Sequence, residues 1–322
     1  TWQEANFTDV YDGQGYKLSN LVISGNYHST GLFSNMKNAS LKNIVLENPQ
    51  ITTNYADTDS TVGSICGTMI SSKINNCSVI NALIKGKKYV GGILGTYDST
   101  TSGELSYIIN SSFNGIIQYT SNNASAKIGG LLAFQDDNKS AIHLINNIFN
   151  GEIQNPYPND IDSGFIAGQI ESGFIINSFC HGKYSQIGTN TYSITASENS
   201  VINCYVDINN FTDEEKLLIP KKMTLNDSTY KKQSLYSLLG DDYLEGDLII
   251  SGTQTDTKHD IYKFFAESGG GFRSQSTSLK SVYTISDALN IFVSQNNSVT
   301  AFKTKYTELL PWTYDETDGI HF

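Results

Sequence analysis

A three-beat unit recurs along the first two-thirds of this chain and restricts what it can fold into. Its clearest copy is Val90-Gly91-Gly92-Ile93-Leu94-Gly95, followed after a loop by Ile109-Asn110 and then by Gly115-Ile116-Ile117. With Gly92 as anchor, the first beat recurs at Gly31, Ser64, Gly130, Gly164 and Ser193, with successive spacings of 33, 28, 38, 34 and 29 residues. The second beat falls at Leu41, Ile74, Ile109, Ile145, Ile176 and Ile202. An asparagine follows directly at Asn75, Asn110, Asn146, Asn177 and Asn203. The third beat is clearest at Gly115, Gly151 and Gly182, and Leu18-Ser19-Asn20-Leu21 reads as an incomplete opening coil.

A helical-hairpin repeat can share this period, so the interior of the unit has to decide. Its apolar runs are short, β-branched and bounded by Gly, Asn, Ser and Thr, which is the composition of short strands and turns. No segment before residue 210 carries a helical stripe. Three short strands per repeat predict a right-handed parallel β-helix (β-solenoid) over residues 1–210. Each coil is too small to hold a core alone, and stacking buries a continuous column. The recurrent asparagine fits a stacked side-chain amide ladder at a coil corner.

The pattern apolar-Gly-Gly-Leu-apolar-Gly, a loop, Ile-Asn and a glycine turn resembles the GLUG repeat of bacterial surface proteins. The opening Phe7 to Leu21, leading to Gly31-Leu32-Phe33, is similar to the start of such arrays. That resemblance implies an adhesin, or an accessory region of a larger secreted protein such as an IgA-cleaving peptidase. It brings no catalytic residues, and neither His-Glu-x-x-His nor Gly-x-Ser-x-Gly occurs in this chain.

Residues 211–322 depart from the repeat and are expected to form a small mixed α/β cap and tail. Thr212 to Pro220 reads as a polar connector, Ser234–Leu239 as a short helix, Asp247–Ser251 as a strand and Gly269–Gly271 as a turn. Ser286 is the expected N-cap of a helix carrying Leu289, Phe292 and Val293 on one face. Ala288-Leu289-Asn290, Leu310-Pro311-Trp312 and the terminal Gly319 to Phe322 resemble the closing segment of arrays in this family.

A net charge of −11 and a pI near 4.8 argue against nucleic acid and anionic membrane surfaces as partners. No apolar run reaches membrane-spanning length, so direct membrane insertion is not expected. The chain reads as a mature or trimmed soluble form, extracellular or at the cell surface, with any export signal or anchor outside it. Cys66, Cys77, Cys180 and Cys204 occupy apolar or asparagine-flanking slots of the repeat and read as buried free thiols, with a Cys180–Cys204 bridge as the alternative.

Function is placed on loops that the rigid coils present. The longest follow the first beat in coils three and four, at about Thr96–Tyr107 and Phe134–His143, and a second group includes Gln154–Asp162. Tyr97, Tyr107 and Tyr157 supply candidate aromatic faces for a sugar, and Asp160 and Asp162 a candidate calcium or sugar contact. The strands carry almost no carboxylates, so the expected activity is non-catalytic binding of a host or environmental glycan or protein. No cofactor or structural metal is expected. A structural spacer or filament subunit with self-association, and a β-helix polysaccharide lyase or hydrolase or a phage tailspike-like protein, are the alternatives.

Overall fold

The computed structural model describes residues 4–55, 58–98, 105–135, 140–192, 194–196, 201–202, 204–206, 249–251, 262–264, 272–274, 282–298, 300–315 and 319–322. Most of the chain winds into a parallel β-solenoid of about five turns. After an opening coil over 6–25, coils one to five begin at Ser29, Thr61, Tyr89, Lys127 and Asp162. Each coil passes through four sheets. The first holds Tyr89–Gly91 and its equivalents, the second Leu94–Tyr97, the third Ser106–Ile109 and the fourth Ser112–Tyr119. All pairings within these sheets are parallel, as in Phe113↔Phe149 and Val90↔Ile128.

The inward column follows from alternation along each strand. Val62, Val90 and Ile128 line it from the first sheet, and Leu41, Ile74, Ile108, Leu144 and Ile175 from the third. Phe113 and Phe149 stack from the fourth at 6.0 Å, followed by Phe165 at 5.4 Å and Tyr184 at 4.4 Å. Glycine makes room for these rings. A Cβ on Gly92 would stand 2.7 Å from Phe113, and one on Gly130 would stand 2.5 Å from Phe149.

The register corrects the repeat alignment by one residue in places. The equivalents of Gly164 are Gly129 and Gly91, not Gly130 and Gly92. A Cβ at each of the three would collide with the carbonyl three residues on, at 2.1, 1.8 and 1.9 Å. In the third sheet Ile108, Leu144 and Ile175 face inward, whereas Ile109, Ile145 and Ile176 lie on the outer side. The corner asparagines are therefore Asn43, Asn76, Asn110, Asn146 and Asn177; Asn75 lies within a strand, and Asn203 lies outside the described residues.

Those five asparagines turn the chain with left-handed backbone, φ between 50° and 59°, a conformation asparagine tolerates. Their carboxamides stack. Asn177 donates to Asn146 at 2.8 Å and Asn146 to Asn110 at 2.9 Å, and Asn110 donates to Asn75 at 3.3 Å. Asn76 donates to Asn43 at 2.8 Å and Asn43 to Asp12 at 2.8 Å, so a carboxylate with no N–H to pass on ends the ladder. The next slot holds Cys77, Ser111, Asn147, Ser178 and Cys204, whose side chains bond carbonyls around the corner. All four cysteines are free and buried. Burial pushes the Cys77 thiol up to about 12, so it stays protonated.

The C-terminal residues pack on the flank of coils three and four. Helix α1 (Ile285–Asn297) buries Leu289, Phe292 and Val293, and helix α2 (Thr300–Lys305) buries Phe302. Ser286, expected as the N-cap, lies inside the first turn of α1. Ile249–Ser251 pairs antiparallel with Val282–Thr284. The expected connector from Thr212, the helix at Ser234–Leu239 and the turn at Gly269–Gly271 lie outside the described residues.

An extended strap, 306–312, follows α2 and is gripped on two sides by carboxamides. On the solenoid side Asn110 donates to the Glu308 carbonyl at 2.9 Å and accepts from the Leu310 N–H at 3.1 Å. Asn146 donates to the Leu310 carbonyl at 2.9 Å and accepts from the Trp312 indole at 2.6 Å. From α1, Asn297 takes both backbone groups of Leu309, and Asn290 both of Trp312, each at 2.8 Å. Beneath the strap, buried His143 shares a hydrogen bond with the Tyr306 hydroxyl, and the Tyr107 hydroxyl donates to the Tyr306 carbonyl at 3.3 Å.

Burial and the nearby Lys305 ammonium hold the His143 imidazole neutral, with its pKa lowered to about 3. A released strap would expose this imidazole, whose ordinary pKa is about 6.5, so the released state binds the extra proton between those values. Docking is then fully favoured above about pH 6.5 and weakens as pH falls toward 3, by up to ~1.4 kcal/mol per unit. In a Trp2→Phe background, Trp312 fluorescence should shift toward its solvent-exposed value on acidification. The shift in His143→Gln should need a lower pH, and an unchanged profile in that variant contradicts the assignment.

Candidate functional site

The outer face of the fourth sheet changes character between coils two and three. In the opening coil and in coil one the strand is broken at Asn20 and Asn48, and in coil two Asn81 lies as an irregularity within the single strand Ser78–Gly86, with φ of 59°, 53° and 53°. In coils three and four glycine stands near that position and one strand runs through it, whereas in coil five His181 and Gly182 separate Phe179–Cys180 from Lys183–Tyr184. Ser112–Tyr119 pairs continuously with Ile148–Gln154, through Asn114↔Asn150, Gly115↔Gly151 and Ile116↔Glu152. A register shift between Val79 and Ala82 marks the residue lost on passing from coil two. Gly151 and Gly182 also leave space for the Phe149 ring, which a Cβ would approach to 3.1 and 2.4 Å.

The straightened face carries an open cleft of ≈ 300 Å³ lined by Asn114, Gly115, Ile116, Asn150, Gly151, Glu152, His181 and Lys183. Asn114 donates to the Asn150 carbonyl at 2.8 Å and accepts from the Asn81 N–H at 3.2 Å. Glu152 accepts from Gln154 at 2.9 Å and pairs with Lys183 at 3.1 Å. The Gln154 hydrogen bond, seconded by Lys183, holds the Glu152 carboxyl below its ordinary range. It is the one carboxylate in the lining. A larger groove of ≈ 710 Å³ adjoins the cleft and shares Asn114 and Asn150. Asn76 and Asn110 line one side of it, and Leu310, Pro311, Ile320 and Phe322 the other.

The residues expected to bind from the loops are not brought together here. Tyr97 is fully buried, in register with Met69 and Gln135, because its strand position points into the column. Tyr107 is 7% exposed, covered by Tyr306 at a ring distance of 5.9 Å. Neither offers a face to a sugar, which corrects the expectation for both. Tyr157 is 40% exposed and meets Tyr119 edge-on at 6.4 Å. Asp160 is exposed on the same loop, which Asn155 shapes by accepting from the Tyr157 N–H at 2.9 Å. Asp162 forms an ion pair with Lys127, its register partner. Among the described residues no group of three or more His, Cys, Asp and Glu could hold a metal ion. Residues 99–104 and 136–139 of the two longest loops lie outside the described residues.

Comparison with known proteins yields little. No family model matches this chain, and no curated protein matches it. A crystal structure described as a "putative immunoglobulin A1 protease" from Bacteroides ovatus matches with a TM-score of 0.45 at 16% identity, over 61% of this chain and 68% of the other. At that depth the likeness says nothing about chemistry.

One buried group is unsatisfied in a way that can be measured. Among the described residues the Tyr97 hydroxyl has no hydrogen-bond partner. Removing a buried, unpaired polar atom while keeping the ring should stabilise by ~1 kcal/mol. Tyr97→Phe should therefore raise the denaturant midpoint at unchanged m-value, whereas a drop of similar size would reveal a partner for the hydroxyl.

Proposed function

We propose that this chain is a non-catalytic binding protein, extracellular or at the cell surface, that takes a glycan in the fourth-sheet cleft. The carrying observation is the file of carboxamides at Asn114 and Asn150, continued by Glu152, His181 and Lys183 on a rigid, glycine-flattened sheet. A carboxamide offers a donor and an acceptor side by side, which complements the paired hydroxyls of a sugar ring. The glycines leave the strand backbone open to close approach. Glu152 is held ionised by its partners, the wrong state for a general acid, and hydrolysis of a glycosidic bond calls on a second carboxyl group. The resemblance of the repeat to the GLUG arrays of bacterial surface proteins supports the same setting.

A structural, self-associating role is the second reading, favoured by the opening coil. Val10, Tyr11, Tyr16, Leu18 and Val22 are 43–77% exposed there, and among the described residues the strands of this coil pair on one side only, an edge with apolar residues that invites another chain.

Retention on a glycan array separates the readings. The binding reading expects saturable retention without product release. Asn150→Ala should weaken it about tenfold, the loss of roughly one well-made hydrogen bond to ligand, with the thermal transition unmoved. Released oligosaccharide would establish an enzyme. A silent array with end-to-end assembly in electron micrographs would establish the structural role.

A further inference from the structure

We propose that the lower corner of the solenoid, at Asn43 and Asn76, binds an extended, carboxylate-bearing peptide of a partner protein through the peptide backbone. The upper corner shows how. Asn110 takes the Glu308 carbonyl and the Leu310 N–H, and Asn146 takes the Leu310 carbonyl and the Trp312 indole. The strap thus presents every second residue to successive coils. Stacked side-chain amides replace the backbone edge that β-augmentation ordinarily uses.

Asn43 and Asn76 occupy the same slot with the same left-handed backbone, φ 54° and 51°. Each spends one N–H along the ladder, Asn76 on Asn43 and Asn43 on Asp12. A planar carboxamide used in that way keeps a second N–H and an oxygen lone pair for a ligand beside the ladder. Asn76 keeps more. Asn110 sends its rung bond to Asn75, so among the described residues the Asn76 side-chain oxygen accepts nothing. Asn76 is exposed and lines the ≈ 710 Å³ groove walled by Leu310, Pro311, Ile320 and Phe322. Asn76 therefore adjoins the interface that the strap already makes.

The outer face of the third sheet sets the side-chain chemistry of the occupant. In coils three to five it carries Tyr107, Ile109, His143, Ile145 and Ile176, which are buried. In coils one and two the register replaces these with Ser40, Lys42, Lys73 and Asn75, all partly or fully exposed. Lys42 pairs with Asp12 at 3.2 Å, and Lys73 lies 5.7 Å from the Tyr107 ring, leaving its ammonium in reach of a carboxylate. Lys42 is thus already matched by Asp12, so it is Lys73 that favours a carboxylate side chain on the peptide. An apolar residue of the same peptide fits the Pro311–Phe322 wall.

The probe is a labelled synthetic peptide with the strap's own sequence, residues 306–313, followed by fluorescence anisotropy against the full chain. Saturable one-to-one binding is expected, with protection from hydrogen exchange appearing over 40–48 and 73–79. Asn76→Gly retains the left-handed backbone and should weaken binding about tenfold or more. Asn81→Gly, on the next corner, should leave it unchanged. Replacing the peptide's glutamate with lysine should weaken it further. Three results would overturn the proposal: no binding, binding that survives Asn76→Gly, and binding that exposes 306–312 to exchange, since the last places the probe on Asn110 and Asn146 by displacing the strap.

Discussion

The structure depends on side-chain amides doing what backbone amides do elsewhere. A parallel solenoid pairs its strands along their length, but at each corner the backbone turns through left-handed φ and the coil-to-coil bonding passes partly to side chains. The N–H after the asparagine donates to a side chain of the next coil, as Ser111 does to Asn147. Asparagine answers both needs at once. It tolerates the backbone conformation, and its carboxamide carries the hydrogen bonding from coil to coil across the turn. The neighbouring slot of Ser, Cys and Asn fastens the same corner from within, through bonds to carbonyls of Ile109, Ile176 and Ile175. The slot asks for a small group that donates to a carbonyl and accepts from the preceding coil, as the Ser111 and Ser178 hydroxyls do from the Cys77 and Asn147 N–H groups.

The same amides hold the C-terminal strap to the coils. Asn110 and Asn146 each meet two ladder neighbours and two groups of the strap, which saturates both the NH₂ and the carbonyl oxygen. Asn297 and Asn290 take the backbone groups of Leu309 and Trp312 from α1. The flank of coils three and four is thereby covered, and the wall of the adjoining groove is built from residues more than 150 positions away in sequence. The binding reading rests on this rigidity, since a cleft on a stacked sheet presents its carboxamides at fixed intervals.

Much of this was legible in the repeat, and the rest was hidden for physical reasons. Strand composition and glycine-bounded beats point to a parallel solenoid, and the asparagines read correctly as a ladder. The one-residue error arose because Gly91-Gly92 and Asn75-Asn76 offer two equivalent candidates, and the pairing register alone separates them. The flank dock left a signal that periodicity can find. A strand with one wet face should alternate, yet Tyr107-Ile108-Ile109, Leu144-Ile145 and Phe174-Ile175-Ile176 are apolar on successive positions, the mark of two covered faces. Coil two has Lys73-Ile74-Asn75 there and remains exposed. The cleft, by contrast, follows from exchanging Asn20, Asn48 and Asn81 for Gly115, Gly151 and Gly182, with one residue lost, and that change has meaning only once the coils are stacked. Tyr97 and Tyr107 misled because tyrosine beside a loop looks the same whether it faces the column, a neighbouring helix or water.

Lateral attachment of the C-terminal residues through asparagine forks, without a shared backbone sheet among the described residues, is the central claim. It is tested most directly by cutting the chain between the two parts. A protease site inserted after Gly240 and cleaved at neutral pH should yield two fragments that co-elute on size exclusion, held by the contacts of Asn110, Asn146, Tyr107 and His143. The Asn146→Gly form should release the smaller fragment. Fragments that separate in the unsubstituted protein under native conditions would contradict the account.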